Sequence, residues 1–254
     1  MDLGIAGRRA LVAAGTAGLG LAVARALGEA GVQVVICGRD EQRLASALEL
    51  LRGTASGPPP DGLTADVSSV TGAQAFVEEG TRVLGGRLDI LVCSSGGPPP
   101  GTPVGTTVEQ YRDALESNCL ATIAMCTAAS TGMTERGWGR MLGITSVGAR
   151  QPINYLAASS VARAALTSYL KMLSTELAPH GVTVNNLQPG LHHTDRVDSL
   201  AGDRAAELLS DVPAGRFGDP GDFGALGAFL CSEQARFTTG VGLHVDGGAF
   251  QGLQ

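Results

Sequence analysis

With 254 residues, 44% of them hydrophobic, 17% charged and 37 of them glycine, the chain has the length of one large α/β domain and a composition that excludes disorder. Its net charge of -6 is spread without a basic cluster, which excludes the electrostatic footprint of a nucleic-acid binder or a polybasic membrane surface. No apolar run near the start is long enough for a signal segment or a spanning helix, so a cytoplasmic location is expected. In chain order, "RRALVAA", "GVQVVICGR", "GLTADV", "LDILVCSS", "RMLGITS", "GVTVNNLQP" and "GVGLHVDGG" read as strands. Between them, 19–30, 41–51, 70–84, 111–132 and 159–178 read as helices. Strands that are apolar throughout and alternate with helices predict a Rossmann-type, doubly wound parallel sheet with helices on both faces, in a single domain over 1–254. Its ligand crevice lies beyond the carboxyl ends of the strands, so the informative residues follow each strand directly.

The first such turn is "AAGTAGLGLAVARAL", where Gly15, Thr16, Gly18, Leu19 and Gly20 lead from a strand into a helix. Glycines there let backbone N–H groups approach a diphosphate, and the helix N-terminus favours the negative charge. The second strand ends in Cys37-Gly38-Arg39. An acidic residue at that end would bind the adenosine ribose and select NAD(H). Arg39 instead suits a 2'-phosphate, which favours NADP(H) over NAD(H) unless Asp40 meets the ribose. The proline-rich "SGPPPDG" reads as a surface connector and "SGGPPPG" as a candidate pocket wall. The five cysteines contain no C-x-x-C and sit mostly in apolar runs, which predicts buried free thiols. Cys119 and Cys126 could share a helix face. The four histidines lack metal spacing, so no metal is implied.

These pieces, in this order, resemble the short-chain dehydrogenase/reductase family, whose phosphate loop reads G-x-x-x-G-x-G. "TADV", with Asp66 and Val67, is similar to the family's adenine-contacting strand end, and "LDILVCSSGG", with Ser95 and Gly96, stands where the family has N-N-A-G. Asn118 matches the asparagine of the central helix; Pro189, Gly190 and Thr194 match the late turn that closes over the cofactor; and 216–248 is similar almost throughout. The resemblance implies a cofactor-binding role for each of these residues, a small-molecule substrate, and a homotetramer or homodimer built through the helices at 111–132 and 159–178.

Members of the family use a Tyr, a Lys four residues later and a Ser thirteen residues earlier. Counting back from "GVTVN" by the family's helix length puts Arg163 at the Lys position, Ser159 at the Tyr position and Ser146 at the Ser position. The "GGPPPG" loop and this "QP...S...R" helix resemble a divergent branch labelled oxoacyl-carrier-protein reductase. A serine hydroxyl is a far weaker acid than a phenol. Arginine can bind ribose hydroxyls and, still cationic at neutral pH, help hold the cofactor, but it does not relay a proton as a lysine can. Tyr155 would share a face with Ser159 and Arg163 if the helix began early enough, although Pro152 favours a loop there. His192 and His193 could donate a proton, or lie as solvated loop residues. Asp195 and Arg196 could clamp a polar substrate or cap the next helix. The leading expectation is an NADP(H)-dependent oxidoreductase for a small carbonyl or alcohol, with Ser146, Asn118, Ser159, Arg163 and Tyr155 as candidate catalytic residues. The alternatives are a non-redox cyclase, isomerase or dehydratase, and an inactive nucleotide-binding partner subunit.

Overall fold

The computed structural model describes residues 1–201 and 205–253. Seven strands, β1 (Arg9–Val12), β2 (Gln33–Gly38), β3 (Asp61–Thr64), β4 (Ile90–Cys93), β5 (Gly139–Ile144), β6 (Val182–Pro189) and β7 (Gly242–Val245), form one sheet in the order β3-β2-β1-β4-β5-β6-β7. Every pairing is parallel. β4 and β5 are buried along their whole length; β4 (ILVC) is apolar at every position, as a strand covered on both faces is, whereas β5 also buries Arg140, which donates to the Ser232 and Gly139 carbonyls.

Nine α-helices cover the sheet among the described residues: α1 (Gly18–Glu29), α2 (Glu41–Arg52), α3 (Val70–Val83), α4 (Val108–Leu115), α5 (Ala121–Glu135), α6 (Ala157–Leu177), α7 (Asp195–Ala201), α8 (Ala205–Ser210) and α9 (Pro220–Leu230). Successive strand residues point to opposite faces and build two cores. Leu11 and Val35 pack with Phe76 of α3, Met125 of α5 and Leu166 of α6. Val12 and Ile36 pack on the other face with Leu27 of α1 and Phe223 of α9. Each such side chain contributes about 1.5–3 kcal/mol when fully buried.

The expected helix at 111–132 starts earlier and is interrupted. Thr107 and Gln110 form a reciprocal capping box that fixes the start of α4. A single wide turn, Glu116–Leu120, then separates α4 from α5. Cys126 faces Cys93 across the core, with the sulfurs 3.9 Å apart, and all five cysteines are free and buried. No helix among the described residues is long and apolar enough to cross a membrane. The chain leaves β1 on one side toward β2 and β4 lies on the other, so the loops after β1 and β4 flank the point where strand order reverses, the place where this class of sheet opens its crevice.

Candidate active site

At the phosphate loop, the spacing is Gly15-x-x-Gly18-x-Gly20, one residue short of G-x-x-x-G-x-G. Completing that spacing would need a glycine at position 14. Ala14 stands there with φ 47°, the one non-glycine residue of positive φ among those described. A Cβ costs roughly 1–2 kcal/mol in that left-handed region, so an alanine has been accepted at a glycine-type position. Gly20 is required by close approach, because a Cβ on it would lie 2.7 Å from the Ala14 carbonyl oxygen. α1 opens behind Ala17, which supplies no side-chain cap. Its first N–H groups therefore lack a side-chain acceptor, as a helix end prepared for an anion does.

The adenosine end is built at β2 and β3. A Cβ on Gly38 would lie 2.5 Å from Cγ2 of Thr16, so the phosphate loop holds this position to glycine. Arg39 follows, with 76% of its side chain exposed and Nη1 4.0 Å from Oδ2 of Asp66. Hydrogen bonding from Ser68, helped by the charge of Arg39, holds the Asp66 carboxyl below its usual range. Asp40 caps α2, its Oδ1 accepting from the Arg43 N–H at 2.9 Å. Val67 is buried beside Asp66.

At the reacting end, four loops and helices meet. Ser95 Oγ donates to Asn118 Oδ1 at 3.0 Å, and Asn118 Nδ2 donates to Ser117 Oγ at 2.8 Å. Asn118 is 1% exposed and sits in the wide turn between α4 and α5; such turns often mark positions where a helix must redirect a side chain. Arg163, on α6 and 6% exposed, donates from Nη1 to the Ile144 carbonyl at 2.9 Å and from Nη2 to the Ser95 carbonyl at 3.4 Å. Burial, and then the charge of Arg196, push its pKa down to about 10, which leaves it charged at neutral pH. Ser159 lies one turn earlier on the same helix face, half-buried. Ser146 follows β5 and its Oγ accepts from the Gly148 N–H at 3.0 Å.

Tyr155 does not extend the Ser159–Arg163 face, because α6 begins only at Ala157. It stands in the preceding loop, 40% exposed, with its carbonyl accepting from the Gly101 N–H at 2.9 Å. Gly101 in turn accepts from the Ala157 N–H, so the proline-rich loop after β4 is stitched to the start of α6. Gly96 is exposed at the head of that loop, and Pro98 to Gly101 wall a small cavity of about 50 Å³ with Ala158. Ser160, which sequence reasoning passed over, is the serine that orders the loop: its Oγ accepts from the Ile153 N–H at 3.2 Å.

The late segment closes over this end. Gly190, after Pro189, donates to the Val245 carbonyl at 2.9 Å. Thr194 lies against the phosphate loop, its Cγ2 3.6 Å from where a Cβ on Gly18 would be. His192 is not a solvated loop residue: it is 3% exposed, edge-on to Phe223 at 5.2 Å, and burial pushes its pKa below the ordinary value. His193 is exposed and packs on Phe217. Arg196 reaches across the crevice and donates from Nη2 to the Pro98 carbonyl at 2.7 Å. It thus neither caps α7 nor lies free.

Residues 13–249 match the family model described as enoyl-(acyl carrier protein) reductase. The chain is 34% identical over 242 residues to dehydrogenase/reductase SDR family member 4 of Sus scrofa, covering 94% of this chain and 86% of that protein. It is 31% identical over 252 residues to the 3-oxoacyl-(acyl-carrier-protein) reductase of Vibrio cholerae serotype O1, covering 98% and 99%. The crystal structure of L-sorbose reductase from Gluconobacter frateurii, complexed with NADPH and L-sorbose, superposes with a TM-score of 0.90 at 29% identity over the whole of both chains. With this sheet order, this crevice and a family match over almost its full length, the chain belongs to the short-chain dehydrogenase/reductase family.

Proposed function

We propose that the chain is an NADP(H)-dependent oxidoreductase, a single nucleotide-binding domain over 1–254, that interconverts a small carbonyl compound and its alcohol at a site with serine and arginine in place of the family's Tyr and Lys. The observation that carries this reading is the placement of Arg163: a buried guanidinium one turn from Ser159, fixed by the Ile144 and Ser95 carbonyls. When bound, the nicotinamide supplies or accepts the hydride. Gly15, Thr16, Gly18, Leu19 and Gly20, with the uncapped start of α1, hold the diphosphate. Arg39 takes the 2'-phosphate, Asp66 and Val67 bound the adenine, and Ser95 and Gly96 line the ribose. Pro189, Gly190 and Thr194 cover the nicotinamide end. The NADPH complex of the sorbose reductase supports the cofactor assignment.

Reduction places negative charge on the carbonyl oxygen. Arg163 and the hydroxyls of Ser146 and Ser159 stabilise it where it develops, while Asn118 fixes the wall through Ser95. The proton that completes the alcohol comes from water, and Tyr155 and His193, both exposed, are the candidate side chains to pass it in. Leu120, Val161 and Met172 are exposed on the outer faces of the α4–α5 and α6 helices, which supports a homodimer or homotetramer through them.

Titration with NADPH and NADH, followed by nicotinamide fluorescence, and then loss of NADPH absorbance over a panel of ketones and quinones tests this reading. Tight NADPH binding with oxidation by some substrate is expected. The missing Tyr–Lys pair also favours a non-redox reading, which predicts product without change in the nicotinamide.

A further inference from the structure

Arg163 and Arg196 are anchored by one short loop. Nη2 of Arg163 donates to the Ser95 carbonyl at 3.4 Å and Nη2 of Arg196 to the Pro98 carbonyl at 2.7 Å. Those carbonyls are three residues apart, and three residues of extended chain span at most roughly 10 Å. The Arg196 guanidinium lies flat enough on the loop that a Cβ on Gly97 would be 3.0 Å from its Nη2.

Neither guanidinium forms an ion pair among the described residues. Asp195 and Asp198 are one and two residues from Arg196, positions that do not face it on a helix. Backbone carbonyls satisfy hydrogen bonds but carry no net charge; Arg163 is buried without a counter-charge, which is costly, while Arg196 is exposed and its guanidinium can meet a ligand from solvent. The mutual repulsion shows in the lowered pKa of Arg163, to which Arg196 contributes after burial. The other polar side chains of the candidate site, Ser146, Ser159 and Asn118, are uncharged. This end of the crevice is therefore short of negative charge by construction.

Resting on the oxidoreductase reading, we propose that the substrate is a small oxo acid, whose carboxylate is held by the fork of Arg196 while its carbonyl oxygen faces Arg163. A planar guanidinium matches a carboxylate with two parallel N–H···O bonds, which fixes the reacting carbonyl as well as adding affinity. The two anchoring carbonyls lie within roughly 10 Å of each other, so a carboxylate and a carbonyl on one small molecule suit the pair. Reduction adds a hydride to the carbonyl carbon and a proton from water to its oxygen, oxidises the reduced nicotinamide, and leaves the carboxylate unchanged as a hydroxy acid forms. The main competitor for Arg196 is the cofactor diphosphate, since Thr194, two residues away, packs on Gly18.

The test compares oxamate with neutral oxamide as probes of the NADPH complex, read by the fluorescence of bound NADPH, in the parent and in Arg196→Gln and Arg196→Lys. Oxamate is expected to bind at least about 30-fold more tightly than oxamide. Arg196→Gln should reduce that preference to within about 3-fold and leave the NADPH affinity within about 3-fold of the parent, with Arg196→Lys intermediate. Equal affinity for both probes, or binding of neither, overturns the inference. So does an Arg196→Gln protein that loses about tenfold or more in NADPH affinity yet keeps its preference for oxamate, because Arg196 then serves the cofactor phosphates. Oxamate binding without NADPH oxidation by pyruvate, phenylpyruvate or their methyl esters supports the anion site and overturns the oxidoreductase reading instead.

Discussion

Arg163 is tied to the carbonyl of Ile144 at 2.9 Å, so the middle of the site is a guanidinium bolted to the last residue of a central strand. A cation in that position cannot swing with a loop, and its charge is carried by the fold itself. Replacing it with methionine removes the charge and the donors to two carbonyls, the buried one of Ile144 and the part-buried one of Ser95. An unpaired buried acceptor costs about 1–3 kcal/mol, so Arg163→Met should lower the urea midpoint measurably and reduce kcat/KM by at least about 100-fold. Arg163→Lys should recover more activity than stability, because one ammonium satisfies the two carbonyls less well than a fork.

The pH dependence of turnover separates arginine from the family's usual pair. On the proposed mechanism the protonated guanidinium is the working form, and burial pushes its pKa down to about 10. Its contribution to kcat/KM is thus fully present below that pH and is lost as pH rises through about 10. A pH–rate profile should show this alkaline fall, and Arg163→Lys should move it. A fall at the same pH in both proteins would assign it to another group.

On the proposed reading, cofactor choice rests on Gly38 and Arg39. Arg39→Ala should weaken NADPH binding by about 10- to 100-fold with little change for NADH. Gly38→Asp, the change that would ordinarily select NADH, should fail alone, because its Cβ would lie 2.5 Å from Thr16 Cγ2. Gly38→Asp combined with Thr16→Gly should bind NADH better than Gly38→Asp does. Titrations with both nucleotides measure each step.

Burial lowers the pKa of folded His192, whereas an unfolded histidine takes up its proton near about pH 6.5. As pH falls through that value the unfolded chain binds the extra proton first, so stability falls. His192→Phe keeps the contact with Phe223 and has nothing to titrate. Its melting temperature should fall less than the parent's between about pH 7 and about pH 5, and parallel profiles would remove His192 from the acid response.

Ala14 offers a test of the phosphate loop. An alanine-to-glycine change ordinarily destabilises, but at φ 47° the strain relieved and the unfolded-state entropy nearly cancel. Ala14→Gly should change stability by less than about 1 kcal/mol, whereas β-branched Ala14→Val should cost more than about 2 kcal/mol. Chemical denaturation distinguishes them.

The strands were legible because β2 and β4 are short apolar runs buried nearly throughout and because β5 and β6, although they carry buried Arg140, Thr183, Asn185, Asn186 and Gln188, stand at the same helix-length spacing. The positions of Ser95, Ser146 and Gly190 followed from that, since each comes directly after a strand. Features set by tertiary contact were not legible. The wide turn at Asn118 depends on where its amide must meet Ser95, a partner 23 residues earlier. The start of α6 was legible to within two residues, at 159 against Ala157, with Tyr155 in the preceding loop as Pro152 favours, although no side-chain cap announces it. His192 read as a loop residue because Phe223, which buries it, arrives later on a different helix. Ala14 was hidden because the glycine at 15 satisfied the eye while the left-handed residue was its neighbour.

The most direct measurement is incubation of the protein with NADPH deuterated at the transferring position and a panel of oxo acids and neutral ketones, with mass spectrometry of the products. Hydride transfer at the Arg163 site requires a hydroxy product carrying one deuterium, lost in Arg163→Met. A product without deuterium, or bound NADPH that no member of the panel consumes, would contradict it.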